Sequence, residues 1–194
     1  MAITVKRESE STKSRFVTPT YIDEDGNQVV GGSEKPLPVI QTNHLRLHEG
    51  RAYHTYILYP EANKLGTGTS IDIAIAWPSG INAHATFHFE LNGSGEFYMY
   101  EGASTSGGSA MTLINRNRAS TTASAGAAVL NPTVSAVGTE VYAEFVSSGS
   151  GGNTSTGDIE TREFILKPLT TYLVRLTNSG SQAGAAELII DWYE

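Results

Sequence analysis

No cysteine occurs among the 194 residues, which excludes disulfides, thiolate nucleophiles and any cysteine-ligated zinc centre. Positive charge is scarce: 13 Lys and Arg stand against 20 Asp and Glu, for a formal net charge of -7. The chain therefore lacks the basic surface that general nucleic-acid binding demands. Long apolar runs are missing too. The most apolar stretch, residues 71–77, is broken by Asp72 and falls well short of the roughly 20 residues a membrane helix needs. No apolar segment follows the basic pair Lys6-Arg7, which runs straight into Glu8, Ser9 and Glu10. A secretion signal of the usual kind is therefore not expected, and the protein is expected to be made in the cytoplasm.

What is plentiful is small and uncharged. Hydrophobic residues reach only 39% and charged ones 17%, while 20 glycines accompany abundant Ser, Thr and Asn. This surplus favours turns and neutral polar faces, and the length suits one all-β core. Residues 1–40 carry few clustered apolar positions and read as an extended arm. Lys6, Arg7, Lys13 and Arg15 make its tip basic, whereas Asp23, Glu24, Asp25 and Glu34 make its base acidic. Asp25-Gly26 lies between short β-prone runs and predicts a small hairpin over residues 21–30. Pro36 and Pro38 then stiffen the entry to the main domain, residues 41–194.

From His44 onward the expected period is two. The predicted inward sets are Tyr53, Thr55, Ile57 and Tyr59; Ile71, Ile73, Ile75 and Trp77; Ala85, Phe87, Phe89 and Leu91; Val141, Ala143 and Phe145; Tyr172, Val174 and Leu176; and Leu188, Ile190 and Trp192. Gly-, Ser- and Asn-rich connections separate them. The predicted fold is all-β, an antiparallel β-sandwich resembling a jelly roll, with the arm attached. The alanine-rich stretch at residues 119–130 is expected to be loop or irregular strand, because its Ser, Thr and Gly126 weaken any helix.

No catalytic constellation stands out. His84 and His88 have the spacing of a helical metal pair, but on a strand residues four apart lie roughly 13 Å apart, too far to share an ion. They read as a solvated sheet face, and His44 and His48 receive the same reading. Gly93-Ser94-Gly95 and Gly149-Ser150-Gly151 lack the spacing of a nucleophile elbow, and no phosphate-binding Gly-Lys-Ser/Thr occurs. Glu90, Glu96, Glu101, Glu140 and Glu144 are the carboxylates from which a glycosidase pair would have to be drawn. No cofactor is expected, and the chain reads as a non-enzyme. The densest local feature is Asn115-Arg116-Asn117-Arg118. Its guanidinium and amide groups suit either a subunit or partner contact or a loop pinned to its own domain. Phe97, Tyr98 and Tyr100 form an aromatic set that could stack on sugar rings or divide between core and surface.

Tyr98-Met99-Tyr100-Glu101-Gly102-Ala103, then Ser106-Gly107-Gly108-Ser109, Asn115-Arg116-Asn117-Arg118, the run at residues 162–178 and the closing Ile190-Asp191-Trp192-Tyr193-Glu194 resemble a group of tailed-bacteriophage virion proteins. The resemblance spans residues 44–194. It implies a capsid decoration or cement protein of jelly-roll type on the head surface. The implied partners are the major capsid protein and copies of the chain itself in a homotrimer; from charge and the lack of apolar runs, neither nucleic acid nor membrane is expected as a partner. Lys6, Arg7, Lys13, Arg15 and residues 115–118 are then candidate contacts. The alternative is a receptor- or carbohydrate-binding module of a tail or head fibre, with a host glycan as ligand.

Overall fold

In the computed structural model, residues 20–22, 28–30, 42–146, 155–158 and 162–194 are described. The chain divides into two compact units, Met1–Gln41 and Thr42–Glu194. The first contains β1 (Thr20–Ile22) and β2 (Gln28–Val30), paired antiparallel with Thr20 opposite Val30. This is the predicted hairpin; its connection, residues 23–27, lies outside the described residues.

The second unit opens with a helix, α1 (Thr42–His48), followed by β3 (Ala52–Tyr59), β4 (Ser70–Ala76), β5 (Ala83–Leu91) and β6 (Gly95–Glu101). An insertion of short strands comes next: β7 (Ser104–Ser106), β8 (Ser109–Ala110), β9 (Ile114–Asn115), β10 (Ala127–Leu130) and β11 (Thr133–Ala136). The chain ends with β12 (Thr139–Val146), β13 (Ser155–Asp158), β14 (Phe164–Leu166), β15 (Tyr172–Asn178) and β16 (Ala186–Tyr193).

Two antiparallel sheets face each other. One runs β12-β6-β15-β4-β10-β8 and the other β13-β5-β16-β3-β9, with β14 also pairing β5. Setting aside the insertion and β14, eight strands remain. Numbered one to eight along the chain, they order 2-7-4-5 in the first sheet and 1-8-3-6 in the second. This is the double Greek key of a jelly roll. The insertion widens both sheets on the same side, with β10 added beyond β4 and β9 beyond β3.

Strict alternation builds the core. β5 and β16 each alternate buried and half-buried residues along their whole length. Phe87, Phe89, Phe97, Ile71, Ile73, Ile75, Val174, Leu176, Leu188 and Ile190 are all at most 1% exposed. Burial of each such side chain stabilises by about 1.5–3 kcal/mol. Phe89 and Phe97 stack across the two sheets with centroids 4.2 Å apart, and Trp77 meets Trp192 edge-on at 5.7 Å.

Two expectations are corrected. Val141, Ala143 and Phe145 do not face the core: Phe145 is 82% exposed and Val141 41%, whereas Val146 is buried and Tyr142 packs against the core. The register with β6 decides this, because Val146 pairs with Gly95 and Tyr142 with Met99, and the ladder shifts between Glu140 and Tyr142. The second correction concerns His44 and His48, which lie on α1 and not on a sheet face. A strand would have separated them; the helix sets their Nε2 atoms 3.1 Å apart.

Candidate interaction surface

The outward face of the β12-β6-β15-β4 sheet brings aromatic rings and an Asp–Arg ion pair together. Antiparallel register sets its residues in rows. Ala143, Tyr98, Arg175 and Asp72 form one row, Phe145, Glu96, Thr177 and Ser70 a second, and Glu140, Tyr100 and the buried Leu173 and Ala74 a third. Tyr98 and Tyr100, two apart on β6, stack with centroids 5.7 Å apart and planes within 18°. Phe145 stands open beside them, and a recess of about 60 Å³ lies among Glu96, Tyr98, Ala143, Glu144 and Phe145.

The polar groups on this face are held in place. Arg175 donates from Nε and Nη2 to the two oxygens of Asp72, both at 2.7 Å, the bidentate geometry that fixes a guanidinium most firmly. That bond raises the Arg175 pKa against the opposing effect of burial. Tyr98 donates to Glu96 at 3.0 Å, which raises its phenol pKa. The Tyr100 phenol is raised chiefly by burial. Both phenols are therefore neutral near pH 7, with the Tyr98 proton already engaged in the hydrogen bond to Glu96. At the end of the row, Ser70 and Thr177 hydroxyls bond at 2.8 Å. The result is an aromatic platform on β6 and β12 with an oriented ion pair beside it on β15 and β4, suited to contact by stacking and directional hydrogen bonds.

The other sequence candidates fall elsewhere. Asn115 is 9% exposed. Its amide nitrogen donates to the carbonyls of Gly50 (2.8 Å) and Thr122 (2.9 Å), and its oxygen accepts from the Asn117 backbone. Asn117 donates to the His48 carbonyl, Arg118 donates to the Asn115 carbonyl, and the Arg116 guanidinium lies 3.0 Å from Asp191. These contacts pin the loop to its own domain, at the end of α1 and against β3 and β16. Arg116, with a side chain 48% exposed, also reaches solvent. Lys6, Arg7, Lys13 and Arg15 lie outside the described residues. Of the aromatic set, Phe97 enters the core and the two tyrosines stay on the surface.

His84 and His88 are on β5 as expected, His84 beside Glu163 and Tyr193 and His88 at 3.5 Å from Glu90. Glu101 accepts from Lys167 and Tyr172, and Glu144 accepts from Tyr142. Among the described residues no group of three or more His, Asp or Glu is placed to hold a metal ion. A wider concavity of about 600 Å³ lies between residues 55–58 of β3 and residues 109–112, where β3 has outrun its two-residue pairing with β9.

The Asp72–Arg175 pair was not expected from the sequence, and Phe145 was expected in the core. Asp72 and Arg175 each interrupt an apolar strand at an outward position, a parity signal that shows both charges face away from the core. That they face each other depends on the β4–β15 register. Comparison of the chain with family models, with curated proteins and with solved structures yields no match.

Proposed function

We propose that the chain is a non-enzymatic structural protein of a tailed-bacteriophage virion, a decoration or cement protein that binds the assembled head and stabilises it. The likeness of residues 98–103, 106–109, 115–118, 162–178 and 190–194 to such virion proteins supports this reading. The observation that carries the contact is Phe145, an aromatic side chain 82% exposed on a sheet edge beside the Tyr98–Tyr100 stack. Aromatic side chains and arginine are enriched among the residues that anchor protein interfaces, and Arg175 lies beside Tyr98 in its row. In this reading the partners are the major capsid protein and copies of the chain itself as a homotrimer. Weak contacts repeated over several coat subunits add up through multivalency. The basic arm tip, Lys6, Arg7, Lys13 and Arg15, together with Arg116, supplies further contacts on the virion surface.

The test is cosedimentation of the full chain with capsids that lack it, while capsid melting is followed. The wild-type chain is expected to bind and raise the melting temperature. Phe145→Ser combined with Tyr98→Ala is expected to weaken binding at least tenfold, which corresponds to about 1.4 kcal/mol. Failure of the wild-type chain to bind capsids would overturn the proposal.

One observation favours a second reading, a carbohydrate-binding module of a fibre. Near-parallel Tyr98 and Tyr100 rings with Glu96, Asp72 and Arg175 alongside would suit a sugar face and its hydroxyls. Saturable glycan-array binding that Tyr98→Ala abolishes would select this reading.

A further inference from the structure

His44 and His48 are four residues apart on α1, so both rings project from one helix face. Their Nε2 atoms stand 3.1 Å apart, with the ring planes at 72°. Two imidazoles bound to one zinc-like ion at about 2.0–2.1 Å would, at that 3.1 Å separation, subtend about 100° at the metal. This lies between the right angle of cis ligands in square-planar or octahedral geometry and the tetrahedral angle. The pair thus already has the spacing of a chelate.

The scaffold under the pair is fixed. The backbone N–H groups of Glu49, Gly50 and Arg51 donate to the carbonyls of Leu45, Leu47 and Arg46. Asn117 donates to the His48 carbonyl, and Gly50 turns the chain with φ of 69°. The Gly50 carbonyl in turn accepts from the buried Asn115 amide. These bonds satisfy the carbonyls that a helix end normally leaves open and hold His48 against the jelly roll. Both rings are exposed, so an ion and its water ligands can reach them.

We propose that His44 and His48 form an open, two-histidine site for a late first-row divalent cation, Zn²⁺, Ni²⁺ or Cu²⁺. Each ring would coordinate through Nε2 and keep its proton on Nδ1, while solvent fills the remaining positions. The ion takes the place of the hydrogen that now links the two rings. Imidazole nitrogen selects these ions over Mg²⁺ and Ca²⁺, which take oxygen ligands.

Isothermal titration of the untagged full-length chain with ZnCl₂ and NiCl₂, with MgCl₂ as control, tests this. One saturable Zn²⁺ or Ni²⁺ per chain is expected, with no binding of Mg²⁺. Either His48→Ala or His44→Ala removes the chelate and is expected to weaken binding about 100-fold. His84→Ala and His88→Ala are expected to bind as the wild type does. In the wild-type NMR spectrum, Zn²⁺ is expected to shift the imidazole signals of His44 and His48 and leave those of His84 and His88 in place. No saturable binding by the wild type, or binding that survives in His44→Ala/His48→Ala, would overturn the proposal.

Discussion

At the residue scale, buried polar groups behave differently from surface charges. Asn115 bonds to two carbonyls and one backbone N–H from inside the domain. Asn115→Ala strands those partners, so a loss of about 1–3 kcal/mol is expected in urea unfolding. Arg116→Ala removes only a half-exposed ion pair with Asp191 and is expected to cost less than about 1 kcal/mol. Tyr172 supplies a pH dependence. Its hydroxyl accepts from the Lys167 backbone at 3.0 Å and donates to Glu101 at 2.9 Å. Burial, the largest cause, pushes its pKa up to about 12 from 10.0. The folded state therefore keeps a proton that the unfolded chain has released, and stability falls as pH rises from about 10 to about 12. Below about pH 10 this contribution is complete. Unfolding measured from pH 8 to 12 is expected to show a shallower alkaline decline in Tyr172→Phe than in the wild type.

At the scale of the element, β12 shows how far alternation can be trusted. Along Thr139–Val146 two parities are available, one with Val141, Ala143 and Phe145 and the other with Tyr142, Glu144 and Val146. Apolarity favours the first, but the structure uses the second. The ladder irregularity next to Val141 and the pairing with Gly95 set the parity, and an edge strand has only one neighbour to enforce a face. The contrast can be measured. Phe145→Ser is expected to change unfolding free energy by no more than about 0.5 kcal/mol, whereas Phe97→Ala, in the core, is expected to cost about 3–5 kcal/mol. Gly138 marks the entry to the same strand. It has φ of 88°, and a Cβ there would sit 2.2 Å from the Glu101 carbonyl oxygen. Gly138→Ala combines left-handed strain with backbone overlap, so a melting-temperature loss of several degrees is expected.

At the scale of the whole molecule, the jelly roll pairs distant parts of the chain. β16 lies between β3 and β5, and β15 between β4 and β6. The last strands thus complete both sheets and bring Leu188, Ile190 and Trp192 into the core. A chain ending before Ala186 is expected to lose its cooperative thermal transition by circular dichroism. Refolding followed by stopped-flow fluorescence of Trp77 and Trp192 is expected on a millisecond-to-second timescale, because non-local pairing must precede core formation.

The sequence by itself determined that this protein is an antiparallel β-sandwich, and it determined most of the core. In strands such as β5 and β16, period-two alternation leaves one apolar face and one polar face. Burying the apolar face admits a single solution. Glycine- and serine-rich turns at short spacing marked the connections. Tertiary structure decided what pairing and register alone control. The seven residues of α1 are too short for a helical period to declare itself, so the closeness of His44 and His48 was not legible. Asp72 and Arg175 were visible as outward charges, but residues 103 positions apart meet only because β4 and β15 align. The side on which Phe145 emerges depends on an irregular ladder. The sequence could not fix it, because the free energy separating the two parities comes from neighbouring strands and not from β12 itself.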